Sequence, residues 1–349
     1  MLPARVLRFL LRFAPVPLRL GLYDSFSPDV LEPWEKILSQ DTQAGVFCHP
    51  AWLRAWWESL GSGDLLIALV WDDDEPIAAF PTCSCGEEEG LLSFLGSEDV
   101  TDEQVPTAVP GREGEALGFF LEWATNDERF DKVRFHSVLE GNRWLEIAEQ
   151  VANATQRSFG TEQVDVAPAI DLPPSFDAYL ASLSGHDRHE LRRKRRRLAD
   201  VGEWKIRRAD DVGWEHDLVS FFEFHRQAPG EKAGFFTPDR ERFFRRLAAD
   251  LFLMGLARLD VLDLDGEPVA CTFSYDFRDT LALYNSSFRS DLAKLAPGMV
   301  LVGSLVEQSI AEGKACFDFL RGDEAYKKRF GPLPRAVYEV LIGSPTVVR

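Results

Sequence analysis

The sequence lacks the motifs that mark several large enzyme classes. It has no Gly-x-Ser-x-Gly elbow, no Walker phosphate loop, no Gly-x-Gly-x-x-Gly fingerprint and no His-Glu-x-x-His pair. These absences argue against a serine hydrolase, a P-loop NTPase, a Rossmann dehydrogenase and a zincin protease. Long apolar runs are absent as well, since none reaches the roughly 20 residues that a membrane-spanning helix needs.

Cysteine is scarce, with five in 349 residues, an odd number. Only Cys83 and Cys85 lie close together, and their spacing fits neither a disulfide framework nor a zinc site. His186 and His189 are three residues apart without an evident third ligand, so we expect no metal. A reducing, cytoplasmic compartment fits this usage best.

Basic residues are few in the first half of the chain. Residues 1–170 hold 12 Lys and Arg against 29 Asp and Glu, whereas residues 171–349 hold 27 against 28, which leaves the chain at −18. An acidic half is a poor general binder of nucleic acid, and its charge is typical of a solubilising surface. General nucleic-acid binding is therefore not expected.

Residues 1–20 depart from this acidic pattern. They carry Arg5, Arg8, Arg12 and Arg19, no acid, and Leu, Phe and Val between them. The arginines interrupt the apolar core that a secretory signal needs. We expect a basic amphipathic extension that frays, packs on the first domain or docks peripherally on anionic lipid at the inner membrane face.

Several short patterns occur twice in the same order, at offsets between 182 and 192 residues. The offset of 182 relates Lys132-Val133-Arg134-Phe135 to Lys314-Ala315-Cys316-Phe317. We interpret them as a tandem duplication, in which the differences between the halves indicate the working one. The paired patterns are Phe47-Cys48-His49-Pro50 with Phe235-Phe236-Thr237-Pro238, Glu75-Pro76-Ile77-Ala78-Ala79 with Glu267-Pro268-Val269-Ala270-Cys271, and Pro110-Gly111 with Pro297-Gly298.

Each half is predicted to run helix, helix, hairpin, strand, helix, strand. In the second half the periodicity predicts helices at 176–183, 186–201, 214–226, 239–253 and 298–311, and strands at 257–264, 268–275, 280–286 and 315–320. The fold class is therefore α/β, with two tandem domains that each hold a central mixed sheet flanked by helices. We place the extension at 1–20, the first domain at 21–165 and the second at 166–349.

Polar features set the second half apart. One predicted helix carries seven basic residues between 188 and 197, and each like-charged i,i+4 pair costs about 0.2–0.5 kcal/mol. Arg192, Arg193 and Arg196 are therefore candidates to bind a phosphorylated ligand, with a merely solvated face as the alternative. Pro297 and Gly298 open a helix whose free N–H groups and dipole suit a pyrophosphate.

Two strand ends in this half are also polar, and strand ends commonly deliver functional groups. Tyr284 and Asn285 end one strand, while the loop after residue 320 holds Asp323 and Lys327. If that loop turns helical, these two share a face, so that the carboxylate takes the acceptor's proton and the ammonium offsets charge on the carbonyl oxygen. His225, at a helix end, is a further candidate base.

These residues resemble the CelD-like acyltransferases of the GNAT superfamily. The resemblance covers residues 175–335 well and 20–160 more loosely, and its most specific part is the segment Asp318 to Lys327, which has the form Asp-Phe-Leu-Arg-Gly-Asp-x-x-Tyr-Lys. The order of elements is also similar to that of the FemABX peptidyltransferases, which are likewise tandem GNAT folds.

The resemblance implies transfer of an acetyl or other acyl group from acyl-CoA to an amine or hydroxyl of a small-molecule or glycan acceptor, linked to polysaccharide or cell-envelope synthesis. It implies that strands 280–286 and 315–320 splay apart around the pantetheine. The residues that would hold the pyrophosphate are Pro297, Gly298, Met299, Val300 and Leu301. The catalytic candidates are Asp323, Lys327, His225, Tyr284 and Asn285. The candidates for substrate binding are Arg192, Arg193, Arg196, Asp318, Arg321 and Tyr326.

Two alternatives stay open. The loop at Pro297 departs from the Arg/Gln-x-x-Gly-x-Gly/Ala pattern usual for the superfamily, which leaves room for a FemABX-like transferase that uses aminoacyl-tRNA. The chain could also be a catalytically silent tandem scaffold. In the leading hypothesis the first half is a degenerate copy that supports the fold and shapes the acceptor pocket.

Overall fold

The computed structural model describes residues 18–85, 88–210 and 212–345. The chain forms two compact units, one of Met1–Val164 together with Ala336–Arg349 and one of Asp165–Arg335. We call them unit 1 and unit 2. Residues 1–17, which make up most of the expected basic extension, lie outside the described residues.

Unit 1 has the predicted order of elements, with additional strands at its edges. The first strand begins at Arg19 and pairs antiparallel with the second, so the expected extension ends before residue 19 rather than at 20. The elements are β1 (Arg19–Tyr23), α1 (Pro28–Gln40), α2 (Pro50–Leu60), β2 (Asp64–Asp72), β3 (Glu75–Ser84), β4 (Leu91–Phe94), β5 (Thr107–Ala108), α3 (Glu113–Asn126), β6 (Lys132–Leu139), α4 (Arg143–Ala154) and β7 (Arg157–Val166).

The sheet of unit 1 is mixed. β2 and β3 form an antiparallel hairpin, β3 pairs antiparallel with β4, and β4 pairs parallel with β6. Its core is aromatic, with the rings of Phe80 and Phe120 stacked 4.3 Å apart. At the end of β3, the side chains of Cys83 and Cys85 lie next to each other.

Unit 2 repeats the plan with more helix before the hairpin. Its six-stranded sheet has the order β8-β13-β12-β11-β10-β9. The elements are β8 (Ala169–Asp171), α5 (Phe176–Ser182), α6 (Gly185–Ala199), β9 (Trp204–Arg208), α7 (Trp214–Arg226), α8 (Pro238–Leu253), β10 (Ala257–Leu264), β11 (Glu267–Phe277), β12 (Thr280–Phe288), α9 (Pro297–Ala311) and β13 (Cys316–Asp318).

Local sequence accounts for several of these elements. Thr237 caps α8 by accepting the Arg240 N–H at 3.3 Å, and Pro238 takes the first helical position. The turn between β10 and β11 places Asp265 and Gly266 at φ 51° and 85°, the left-handed pair that a tight hairpin needs. α9 is apolar on most sides because it is buried against the sheet and α6.

The last strand, β14 (Ala336–Pro345), belongs to unit 1, where it lies between β6 and β7. The expected second domain of 166–349 is therefore wrong at its C-terminal end. β14 gives β6 a hydrogen-bonded neighbour along its second edge and buries Val337, Val340 and Ile342. In unit 2 the neighbour of β13 on that side is β8, which precedes the repeat in sequence.

Both units share one order, a hairpin, a strand, a helix and then a strand parallel to the one before the helix. In unit 1 these are β2, β3, β4, α3 and β6, and in unit 2 they are β10, β11, β12, α9 and β13. Each unit contains one such parallel pair among its described residues. The tandem arrangement predicted from the repeated patterns is confirmed.

Candidate functional site

A gap opens in the sheet of unit 2 between β12 and β13. The two strands pair in parallel over three positions only, from Thr280 with Cys316 to Ala282 with Asp318. β12 continues to Phe288 while β13 ends at Asp318. The strands predicted to splay apart are therefore adjacent and parallel, and they part after residue 282.

The gap exists because the chain turns away from β12 after Asp318. The Asp318 carboxylate accepts the Leu320 N–H at 2.8 Å and an Arg335 N–H at 2.7 Å. Leu320 adopts a left-handed φ of 56°, and the Phe319 N–H donates to the Pro168 carbonyl on the far side of the strand. Asp318 thus ends the strand, and its carboxylate is occupied by protein donors rather than aimed at a substrate.

Lys327 fixes the loop that follows. Its side chain is 3% exposed, and its Nζ donates to the carbonyl oxygens of Leu320, Arg321 and Gly322 at 3.4, 2.6 and 3.1 Å. The Glu324 carboxylate lies 2.8 Å from the same ammonium. Lys327 therefore holds the loop in shape from the inside.

The predicted pairing of Asp323 with Lys327 on one helical face is wrong. The short 3₁₀ helix begins at Lys327, so residue 323 is not helical and the i,i+4 geometry does not apply. Asp323 is exposed and pairs instead with Lys328 at 2.8 Å. Arg321, also expected at the substrate, places its Nε 3.2 Å from the Asp165 carboxylate.

β12 carries a bulge beside the gap. Its register with β11 jumps from Leu283 to Asn285, so Tyr284 is the extra residue, and bulges of this kind redirect side chains beside active sites. Two residues further on, the Ser286 N–H donates to Asn285 Oδ1 at 2.8 Å and the Ser286 carbonyl accepts from Lys232 Nζ at 2.6 Å. Both backbone polar groups of Ser286 are thus bonded to side chains.

His225 lies under this bulge, fully buried at the end of α7. Phe221 and Phe236 pack edge-on against its ring, with centroids at 4.9 and 4.7 Å. Burial, and to a lesser extent the nearby Lys232 charge, lower the pKa of His225 to about 3. Asn285 and the Lys232 backbone approach the imidazole, but neither reaches ordinary hydrogen-bond geometry. His225 is therefore a neutral imidazole.

Lys232 and Tyr326 complete the site. Lys232 is an exposed residue on a short 3₁₀ helix between α7 and α8, and desolvation by the groups around it lowers its pKa. Burial raises the pKa of Tyr326, whose hydroxyl interacts with the Ser286 side chain. We call His225, Lys232, Asn285, Ser286 and Tyr326 the gap cluster. Lys232 escaped the sequence analysis because a single lysine in a loop carries no pattern.

The N-terminus of α9 follows β12 and has two properties that suit an anion. Among the described residues no side chain caps it, and its first turn has no acid. The backbone N–H groups of Met299 and Val300 donate to the Ala296 carbonyl. The N–H of Gly298 is therefore the first one that α9 can offer to a ligand. Of the five residues expected at the pyrophosphate, Gly298 and Met299 are partly exposed. The other three, Pro297, Val300 and Leu301, are buried.

The corresponding place in unit 1 is closed. Beyond the parallel pairs of β4 and β6, the Ser137 carbonyl accepts the Gln104 N–H at 2.9 Å, so a buried loop lies along that edge of β6. The helix that corresponds to α9 carries Glu113 and Glu115 in its first turn. Carboxylates at a helix N-terminus repel a phosphate. Only unit 2 therefore combines an open gap with an anion-compatible helix start.

The basic face of α6 borders a separate surface cavity of about 520 Å³. Of the three arginines expected to bind substrate, Arg192 and Arg196 line it, whereas Arg193 lies outside the lining and pairs with Glu190 at 2.7 Å. Arg195 also bonds Glu307 and Ser304 of α9. The cavity is lined by Gly185, Arg188, His189, Arg192, Arg195 and Arg196.

Within the described part of the chain, no group of three or more His, Cys, Asp or Glu residues could hold a metal ion. No helix there is long and apolar enough to cross a membrane.

The repeated sheet plan, the parted parallel strands and the helix start define a tandem GNAT-like fold, of the kind seen in FemABX proteins. Residues 185–328 match the family model described as an acetyltransferase (GNAT) domain. This match lies within unit 2, the unit with the open gap. No curated protein sequence matches the chain.

Solved structures with this fold cover nearly the whole chain at low sequence identity. FemX superposes with a TM-score of 0.62 at 13% identity, covering 91% of this chain and 96% of its own. A conserved protein of unknown function from Bacteroides thetaiotaomicron gives 0.61 at 12%, covering 93% and 100%. The C-terminal domain of a putative lysylphosphatidylglycerol synthetase from Agrobacterium fabrum gives 0.58 at 13%, covering 90% and 91%. At these identities the likeness shows the fold alone.

Lys327→Met should destabilise unit 2 by at least about 2 kcal/mol, because it leaves three carbonyl oxygens and a carboxylate without their buried cation. Denaturant-dependent hydrogen exchange of unit 2 peptides measures this loss. Lys328→Met is the matched control, since that neighbouring lysine is 63% exposed and its loss should stay within about 0.5 kcal/mol. Equal effects of the two substitutions would contradict the structural role of Lys327.

The buried His225 should make unit 2 less stable in acid. Its folded pKa of about 3 lies below the ordinary value of 6.5, so between these values the unfolded chain binds a proton that the folded chain does not. The contribution of the neutral His225 to the stability of unit 2 is fully present above about pH 6.5. As the pH is lowered below this value, the stability falls by at most about 1.4 kcal/mol per pH unit. Denaturant-dependent hydrogen exchange of unit 2 peptides at several pH values measures it.

His225→Phe should flatten this part of the pH dependence, because a phenyl ring does not titrate. His189→Phe, at an exposed position, should leave the slope as it is in the unaltered chain. An unchanged slope in the His225→Phe chain would mean that another group carries the acid sensitivity.

Proposed function

We propose that unit 2 is an acyltransferase that moves an acetyl or other acyl group from acyl-CoA to an amine or hydroxyl acceptor. The observation that carries the proposal is the gap between β12 and β13, followed along the chain by the acid-free, uncapped N-terminus of α9. The matching gap in unit 1 is closed. This favours a structural rather than a catalytic role for that unit.

The donor is proposed to lie along β12. In this proposal the pantetheine amides pair with backbone groups on the gap side of β12. The Ser286 N–H and carbonyl are bonded to the side chains of Asn285 and Lys232, and the pantetheine amides would replace those side chains. The pyrophosphate would lie at the α9 N-terminus, on the backbone N–H of Gly298. Pro297, Val300 and Leu301 act from the buried side, by fixing the direction of that helix.

The chemistry needs a group to take the acceptor's proton and donors for the oxygen that becomes negative. The neutral His225 imidazole beside Asn285 is our candidate base, reached directly or through one water. Tyr284, at the bulge, packs on Phe244 and Tyr275 and fixes the strand that positions Asn285. Lys327 contributes by shaping the loop, and Asp323 is left as a surface residue.

The acceptor is proposed to carry phosphate, because the basic cavity beside α6 suits an anionic group. A phosphorylated sugar or glycan precursor fits this charge and the envelope-related resemblance. Such an acceptor would place the chain at the inner face of a membrane, in the cytoplasm.

The tRNA-dependent and silent-scaffold alternatives predict different ligands. Isothermal calorimetry with acetyl-CoA and with aminoacyl-tRNA separates them. We expect acetyl-CoA to bind. Binding of aminoacyl-tRNA alone would favour the FemABX-like reaction, and binding of neither would favour a scaffold.

Gly298→Val should weaken acetyl-CoA binding by roughly tenfold or more, because a branched side chain would crowd the backbone N–H groups that approach the phosphates. A Cβ at this position would also lie 3.1 Å from the Phe288 ring. Calorimetry measures the affinity, and thermal melting establishes that the variant folds. Gly160→Val, in the open on β7 of unit 1, is the control that should bind normally. Unchanged affinity in a folded Gly298→Val chain would remove this loop from the donor site.

Replacing Arg192 and Arg196 together by Gln should weaken binding of pyrophosphate, used as a probe, by about tenfold or more. Stability should stay equal or rise, because like-charge repulsion along α6 is relieved. The matched control replaces Arg193 and Arg197, which lie on the same helix outside the cavity lining. Equal loss of binding in both variants would indicate a general charge effect rather than a site.

A further inference from the structure

Lys232 occupies an unusual position for a lysine. Its ammonium donates to the Ser286 carbonyl at 2.6 Å, within the open stretch of β12 and two residues beyond the bulge at Tyr284. Its hydrogen bond goes to a neutral carbonyl, which holds a proton less firmly than a carboxylate does. By contrast, Lys314 and Lys328 pair with Asp276 and Asp323.

Two charged side chains act on this ammonium in opposite directions. The exposed Glu324 carboxylate raises its pKa and the Lys327 cation lowers it. Glu324 is itself engaged by Lys327 at 2.8 Å. Desolvation is the largest effect and lowers the pKa of Lys232; Glu324 opposes this shift, and the Lys327 cation adds to it.

We propose that Lys232 is an intrinsic acyl acceptor, a modification site at which the chain acylates itself from a donor bound in the gap. The proposal rests on the acyl-transfer function proposed for unit 2. It follows from the position of the amine, which bonds the Ser286 carbonyl and so reaches the stretch of β12 along which the donor would lie.

The reaction balances without a further reagent. The Lys232 ammonium first loses one proton to solvent. The neutral nitrogen attacks the thioester carbonyl carbon, a C–N bond forms and the C–S bond breaks with its electron pair on sulfur. The second proton on nitrogen passes to the thiolate, so the products are an amide on Lys232, free coenzyme A thiol and one proton.

Acylation at this position would change the gap cluster. The amide keeps one N–H, which can still donate to the Ser286 carbonyl, but the positive charge beside His225 and Lys327 is lost. A bulkier head group would also stand in the gap. The modified chain is therefore expected to take up donor more slowly than the unmodified chain.

The test incubates the purified chain with acetyl-CoA near neutral pH and follows each lysine by peptide mass spectrometry. Lys232 should be acetylated at least about tenfold faster than Lys328, because a bound donor presents a high effective concentration of thioester. An excess of free coenzyme A should suppress this labelling. Lys232→Arg should abolish the site while keeping the charge, and Lys328→Arg should leave labelling of Lys232 unchanged.

Acetyl phosphate is the control for the intrinsic reactivity of each lysine, because it acetylates amines without binding to a coenzyme A site. If it labels Lys232 over Lys328 with the same preference as acetyl-CoA, the templated reaction is overturned. Acetyl-CoA binding measured by calorimetry without preferential labelling overturns self-acylation and leaves the proposed acyltransferase in place. Absence of both binding and labelling overturns both proposals.

Discussion

One buried ammonium determines the shape of the candidate site. Lys327 donates to three successive carbonyl oxygens of the loop after β13, a loop that would otherwise bury backbone acceptors without donors. With that loop fixed, the strand can end at Asp318 and turn through the left-handed Leu320 toward the segment before β8. The gap beside β12 is the consequence. A side chain that touches no substrate thus creates the space in which a substrate can lie.

The two units show how the same plan can be open or closed. Each has one parallel pair next to the helix-bearing connection. In unit 1 the exposed strand edge is used by a buried loop through the Gln104 N–H, and Glu113 at the helix start is bound to Arg143 at 3.2 Å. Those contacts satisfy polar groups at the strand edge and the helix start of unit 1. In unit 2 the corresponding groups stay available or are bonded to flexible side chains. In unit 1 these contacts close the edge that unit 2 leaves open.

Local patterns predicted what local physics determines. The helix Trp214–Arg226 and the strand Ala257–Leu264 have the predicted bounds, because amphipathic period and flanking turns set them. The loop after Asp318 was not predictable, since its form depends on Lys327 meeting carbonyls inside the fold. The return of β14 to unit 1 was missed for a similar reason: an alternating strand pattern does not say which sheet edge it will join. Lys232 was missed because its role arises from a contact across 54 residues.

The positive charge beside the gap affects whether an acceptor amine is protonated or neutral there. Lys232 and Lys327 are neighbouring cations, and the Lys232 charge also acts on the neutral His225. An amine entering this region as an ammonium would add a third positive charge in partly desolvated surroundings, which favours loss of its proton. A neutral amine is the form that attacks a thioester. Under the acyl-transfer function proposed for unit 2, the charge that disfavours an entering ammonium thus selects the form of the acceptor that can react.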